Sequence, residues 1–219
     1  MTVLQVLTIG QSPRPDLEAE IAAAVPGLTV ALRGALDGMT REELRAIAPR
    51  GGADTLFTVL PSGEAVTVSK AEVTARVRAA LEVLRGPVLL ACTGAFAGLP
   101  ARPDLVQPSA VLTALAEALL PCGRLGLFVP LPEQAATLGA ARARAGLEVQ
   151  AVALQPHLDD AAREAAAREM AGFAPDLVLL DCMSYTRQDK AVLGAVLSCP
   201  ILLAISVAAH AVAALLPES

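Results

Sequence analysis

Two thiols stand where apolar strands give out. Val88-Leu89-Leu90-Ala91-Cys92 and Val178-Leu179-Leu180-Asp181-Cys182 share the form V-L-L-x-C, ninety positions apart. A cysteine that served only as a small hydrophobe would be expected inside such a run. These two stand just past it, before residues able to begin a helix, whose free N–H groups favour a thiolate. Thr93 and Ser184 add hydroxyls close to each sulfur, and Gly94 and Tyr185 continue the two loops. Thiols so placed could move protons or act as nucleophiles.

A third loop, Gly10-Gln11-Ser12-Pro13-Arg14-Pro15-Asp16, follows the first apolar run. Gly10 allows a sharp exit, Ser12 suits an N-cap, and Pro13 suits the first helical position. A helix opening there would aim N–H groups at an anion, and Ser12 and Arg14 could add donors to a carboxylate. An ordinary capped turn with a surface arginine fits the same spacing, and both readings stay open. Asp181 beside a thiolate would repel it. Adjacent strand residues face opposite sides, so an orienting role is expected first.

The remaining candidates read as structure. Cys122 and Cys199 adjoin Pro121 and Pro200 at element boundaries, His157 falls in a loop, and His210 falls in an apolar helix. Arg187 and Lys190 belong on a solvated helix face. The four cysteines show no CxxC and no Cys/His ligand spacing, so no metal site is expected.

The elements that must position these loops alternate strand and helix. Strands are expected at 3–9, 28–32, 55–60, 87–91, 124–129, 147–154, 176–181 and 200–205. Most are continuous apolar runs, as in parallel strands covered on both faces. EAVTV (64–68) follows TLFTVL across Pro61-Ser62-Gly63 and predicts an added hairpin. Thr40 with Glu43 and Ser69 with Glu72 have capping-box spacing, and helices are expected over 133–145 and 159–173. The V-L-L-x-C repeat, with a weaker match of LTIGQSP (7–13) to LFVPLPE (127–133), predicts two similar α/β halves.

Composition narrows the function classes. Of 219 residues, 54% are hydrophobic but only 2% aromatic, which favours close-packed helix-on-sheet layers over a site for a large flat ligand. A net charge of −5 with no basic stretch argues against nucleic acid. No apolar run reaches a membrane span, and MTVLQVLTIG reads as a first strand and not a signal peptide. A cytoplasmic protein with reduced thiols is expected, and its apolar composition is compatible with a homodimer.

TIGQSPRPD, TREELRAIAP, PSGEAVTVSK and VLLDCMSY together resemble AroM family proteins, over nearly the whole chain. That family is similar to the aspartate/glutamate racemase superfamily, with its hydantoin racemases, maleate isomerases and arylmalonate decarboxylases. The resemblance implies an α/β fold of two pseudo-symmetric flavodoxin-like halves, each a mainly parallel sheet flanked by helices, with the added β-hairpin near 55–68. It implies an N-terminal half of 1–105 plus 205–219, a C-terminal half of 106–204, and an active site between them. By position, Cys92 and Cys182 match the cysteines that act on opposite faces of a substrate, without cofactor. Ser12 and Thr93 match carboxylate-binding positions, and Gln11, Arg14, Gly94, Ser184 and Tyr185 complete the expected substrate-binding set. The racemases usually follow the second cysteine with Thr-His, where Met183-Ser184 stand here, and an acid precedes it where glycine is common.

The expected function is a cofactor-independent racemase or isomerase acting on a small carboxylate. The alternative is a small-anion or carboxylate-binding protein that kept the fold without turnover. A thiol-redox or nucleophilic-cysteine enzyme ranks third, for want of a CxxC or a nearby histidine.

Overall fold

The computed structural model describes residues 3–216. The fold is α/β, in two compact units: Met1–Val111 with Ile205–Ser219, and Leu112–Ala204. The last three positions of the expected 205–219 segment, 217–219, lie outside the described residues, as do Met1 and Thr2 of the expected first strand.

In the first unit, strands β1 (Val3–Thr8), β2 (Thr29–Gly34), β5 (Val88–Ala91) and β6 (Leu105–Val106) form a parallel sheet of order β2-β1-β5-β6. β5 is buried at every position, which is why it reads as an uninterrupted apolar run. Edge strand β2 keeps polar and half-exposed positions. The helices are α1 (Pro15–Ala24), α2 (Arg41–Ala46), α3 (Lys70–Val83) and, from Ile205 on, α8 (Ala204–Ala213). β3 (Thr55–Val59) and β4 (Ala65–Ser69) pair antiparallel as the expected hairpin, in a sheet of their own.

Helix α3 buries Val73, Val77 and Leu81, a single stripe at a spacing of four. They join Leu7, Val88 and Leu90 of the sheet and Leu56 and Val68 of the hairpin in one apolar cluster. Each such side chain contributes about 1.5–3 kcal/mol when fully buried. Cys92 packs against this cluster.

In the second unit, β7 (Gly123–Val129), β8 (Leu147–Ala153), β9 (Leu177–Leu180) and β10 (Ile201–Leu203) form a parallel sheet of order β10-β9-β7-β8. Read from the other edge, β8-β7-β9-β10 repeats the first sheet's order. Helices α5 (Pro132–Arg142), α6 (Asp160–Phe173) and α7 (Arg187–Gly194) belong to this unit, and α4 (Pro108–Leu119) leads into it. A Cβ on Gly126 would stand 2.6 Å from Met170 Sδ, so glycine there leaves room for the Met170 side chain of α6 against β7. No helix among the described residues is long and apolar enough to cross a membrane.

The structure differs from expectation at several boundaries. Gln5 pairs with Val88 and Gly126 with Val178, so Leu7 corresponds to Phe128 and the repeat at 7–13 is shifted by one from 127–133. The run PILLAI ends as a strand at Leu203, and Ala204-Ile205 open α8. β6 had no apolar run to announce it. Helix α1 starts at Pro15 behind Arg14, not at Pro13 behind Ser12. The Thr40–Glu43 box is reciprocal, Ser69 accepts the Glu72 N–H at 3.3 Å, and the helix expected over 133–145 ends at Arg142.

Candidate functional site

Cys92 lies one residue beyond β5, and Cys182 two beyond β9, at corresponding stations of the two sheets. Each sulfur receives the backbone N–H two residues on: Gly94 to Cys92 Sγ at 3.3 Å, and Ser184 to Cys182 Sγ at 3.5 Å. A donor aimed at sulfur gains more from thiolate than from thiol. The donors are turn amides and not the helix termini expected from the sequence. The next helix after Cys92 is α4, and α7 starts at Arg187 with Thr186 as its cap.

In the first unit, Cys92, Thr93 and Gly94 are all half-buried. A Cβ on Gly94 would sit 3.1 Å from Leu56 Cδ2 and 3.4 Å from Cys92 Sγ, so glycine keeps the approach to the sulfur open. The loop after β1 is pinned to the loop after β2. Ser12 donates its N–H and hydroxyl to the Asp37 carboxylate at 2.6 and 2.8 Å, and Gly34 donates its N–H there at 2.8 Å. Gln11 Nε2 donates to the carbonyls of Leu36 and Met39, at 3.0 and 2.7 Å. A Cβ on Gly10 would run into Thr58 Oγ1 of the hairpin, so the backbone approach there requires glycine.

Arg14 departs from both readings of its loop as a surface or anion-facing arginine. It is only 2% exposed and forks onto Asp16 at 2.8 and 2.6 Å, while Nη1 reaches the Val59 carbonyl at 3.3 Å. Its guanidinium ties α1 to the hairpin. The Ser12 hydroxyl gives its proton to Asp37.

In the second unit, Cys182 is 9% exposed, and Asp181, Ser184 and Tyr185 are buried with it. Asp181 accepts from Arg142 Nη2 at 2.8 Å, and Arg142 Nη1 reaches Thr113 Oγ1 at 3.2 Å. Tyr185, the sole tyrosine, donates its hydroxyl to the Leu154 carbonyl. Burial pushes the Tyr185 phenol well above its ordinary range, and Cys182, Asp189 and Asp181 add to the rise, so it remains a neutral donor.

Asp189 and Arg163 were not singled out from the sequence. Asp189 is buried, closes a capping box with Thr186, and accepts from Arg163 Nε at 2.5 Å. Arg163 also reaches Asp160 at 2.7 Å. The string TRQD carried the box signal, but its partner lies 26 residues away. Arg187 and Lys190 are exposed on α7, and His157 is exposed outside any element. His210, also exposed, points Nδ1 at the Ser206 carbonyl at 2.8 Å. Cys122 is exposed; the half-buried Cys199 thiol is pushed up by burial and then by Asp176. Among the described residues, no group of three or more His, Cys, Asp or Glu could hold a metal ion.

A model of the family described as AroM protein matches residues 4–216. None of the curated proteins compared with the chain matches it. Similar solved structures include unliganded arylmalonate decarboxylase, at 15% identity and TM-score 0.58, covering 98% of this chain and 92% of that one. An allantoin racemase from Klebsiella pneumoniae gives 18% and 0.58, covering 98% and 87%. The maleate isomerase Iso from Pseudomonas putida S16 gives 17% and 0.53, covering 96% and 91%. These likenesses show a shared fold.

Proposed function

The chain belongs to the AroM family, and from that premise we propose that it is a cofactor-independent racemase- or isomerase-type enzyme acting on a small carboxylate. Cys92 and Cys182 serve as its paired base and acid. The observation that carries this reading is the repeated thiol station, a sulfur just past the third strand of each sheet's sequence order, facing the N–H two residues on. Solved structures named for racemase, isomerase and decarboxylase activities share the fold.

The chemistry follows from the groups present. Removing a proton next to a carboxylate builds charge on that carboxylate, so donors must be set in advance. Turn amides and the hydroxyls of Thr93 and Ser184 have the right character. One sulfur must be thiolate and the other thiol, because two charges sharing a small site resist joint ionisation. Thiolate takes the proton from one face of the carbon, thiol returns one to the other, and inversion results. A decarboxylase needs only a single proton donor, so two thiols favour inversion or isomerisation.

The test is a thermal-shift screen over amino acids, dicarboxylates, hydantoins and aryl malonates, followed by turnover of any stabilising acid in D2O. The expected result is deuterium entering the carbon beside the carboxylate, with C92S and C182S each slowing exchange by about 10²–10⁴. Unchanged exchange in the C92S/C182S double variant overturns the paired-thiol mechanism. Met183-Ser184, standing where racemases place Thr-His, favours a second reading as a carboxylate-binding protein. Ligand stabilisation with no exchange, equal in wild type and double variant, supports it.

A further inference from the structure

Asp181, ion-paired with Arg142, directly precedes Cys182 in the chain, and the corresponding position in the other unit has nothing like it. There Ala91 precedes Cys92, whereas here a carboxylate precedes Cys182. That carboxylate is buried, with 2% of its side chain exposed, and its partner Arg142 keeps 14%. Arg142 arrives from the last turn of α5, thirty-nine residues away in sequence, and also reaches Thr113. Asp181 itself prolongs the β9 pairing, donating its N–H to the Phe128 carbonyl at 2.9 Å.

We propose that Arg142 is a positioning residue for Cys182: it neutralises the carboxylate that adjoins the thiol and fixes the strand end from which the thiol projects. The inference rests on the reading of Cys182 as an acid–base group.

The physical case has two parts. A buried carboxylate with no counter-charge is strongly disfavoured, so a strand end carrying Asp181 needs its guanidinium. A guanidinium keeps its charge throughout the working pH range. With the pair intact, Arg142 offsets the Asp181 charge at 2.8 Å, and the Ser184 N–H faces the thiol at 3.5 Å. With Arg142 removed, an ionised Asp181 opposes thiolate formation. Tyr185, raised first by burial and then by Cys182, Asp189 and Asp181, stays protonated. Asp189 on α7 is held by Thr186 and by Arg163 of α6.

The experiment is alkylation of the full chain by iodoacetamide across pH 6–10, with the label on Cys182 quantified by peptide mass spectrometry. Wild type is compared with R142M, D181N and the R142M/D181N double variant, plus R142K, which keeps the charge. The expected rate order at neutral pH is D181N, then wild type with the double variant and R142K, then R142M. R142M should be slower than wild type by about tenfold, its profile moved to higher pH. A merely structural role would loosen the loop and speed labelling of this buried thiol in every variant, and that result overturns the proposal. So does an R142M profile matching wild type. Should R142M fail to fold, D181N labelling faster than the double variant upholds the proposal, and equal rates overturn it. The readout is independent of turnover. An inactive protein with the expected order would refute the acid–base reading alone, and an active one with unmoved profiles would refute this inference alone.

Discussion

The loops that carry Cys92 and Cys182 are built on the same string and held by different forces. In the first unit the loops after β1 and β5 are held mostly by close backbone approach and exposed hydrogen bonds: Gly10 against Thr58, Gly94 against Leu56, and Ser12 on the exposed Asp37. One buried guanidinium, Arg14, adds to them on a part-exposed Asp16. Around Cys182 the restraints are buried charges, with Arg142 on Asp181 and Arg163 on Asp189. The difference shows that strand order and strand-end placement fix where a thiol stands. The surrounding chain is then free to choose how tightly it is held.

The largest effect should come from the buried side. Arg163→Met leaves the buried Asp189 without its counter-charge. Breaking one partner of a buried pair costs about 3–5 kcal/mol, readable as a large fall in urea midpoint. A loss below about 1 kcal/mol would mean that the two loops are held alike. Next, Gly10→Ala drives a methyl into Thr58. Such overpacking costs about 1–3 kcal/mol, and Thr58→Ala in the same chain should return most of it. Additive losses would show that the β1 loop is held by something other than that approach.

The smallest effect compares one motif in two settings. Thr40→Ala and Thr186→Ala each remove a capping box, exposed on α2 and, on α7, formed by a half-buried threonine with a buried aspartate. Loss of an N-cap costs about 1 kcal/mol, and Thr186→Ala should exceed Thr40→Ala, because it also deprives a buried carboxylate of donors. The exposed box has a pH signature too. The Thr40 backbone N–H and then its hydroxyl hold the Glu43 carboxyl below its ordinary value. Its contribution is therefore present above the ordinary carboxylate range and is lost as pH falls through the lowered value. The gap between the urea midpoints of wild type and Thr40→Ala should narrow as pH falls through that lowered value, as the bond from the Thr40 hydroxyl to the carboxylate is lost. The part owed to the Glu43 N–H on Thr40 Oγ1 should remain.

Sequence reading reached the strand-end thiols, the hairpin, the alternation of strand and helix, and the family. Each of these depends on local pattern or on a nearby repeat. It overran at PILLAI because a short apolar run looks the same whether it closes a strand or opens a helix. At Ser12-Pro13-Arg14-Pro15 the helix was expected from Pro13 behind Ser12, but Asp37, 25 residues away, claims the Ser12 hydroxyl and the helix starts at Pro15. Asp181 was legible as an acid ahead of a thiol, but Arg142 was not legible as its partner, since nothing local marks a pair 39 residues apart. Arg14 looked like a surface donor because its burial depends on a carbonyl 45 residues on.

One connection bears on how the molecule is made. The chain leaves the first unit at Val111, completes the second by Ala204, and only then supplies Ile205 onward to the first. On a ribosome, the inserted unit has all its strands before its host has its last helix. With domains closing as they emerge at about 5–20 residues per second, the younger stretch of chain can be finished while the older one waits for its closing piece.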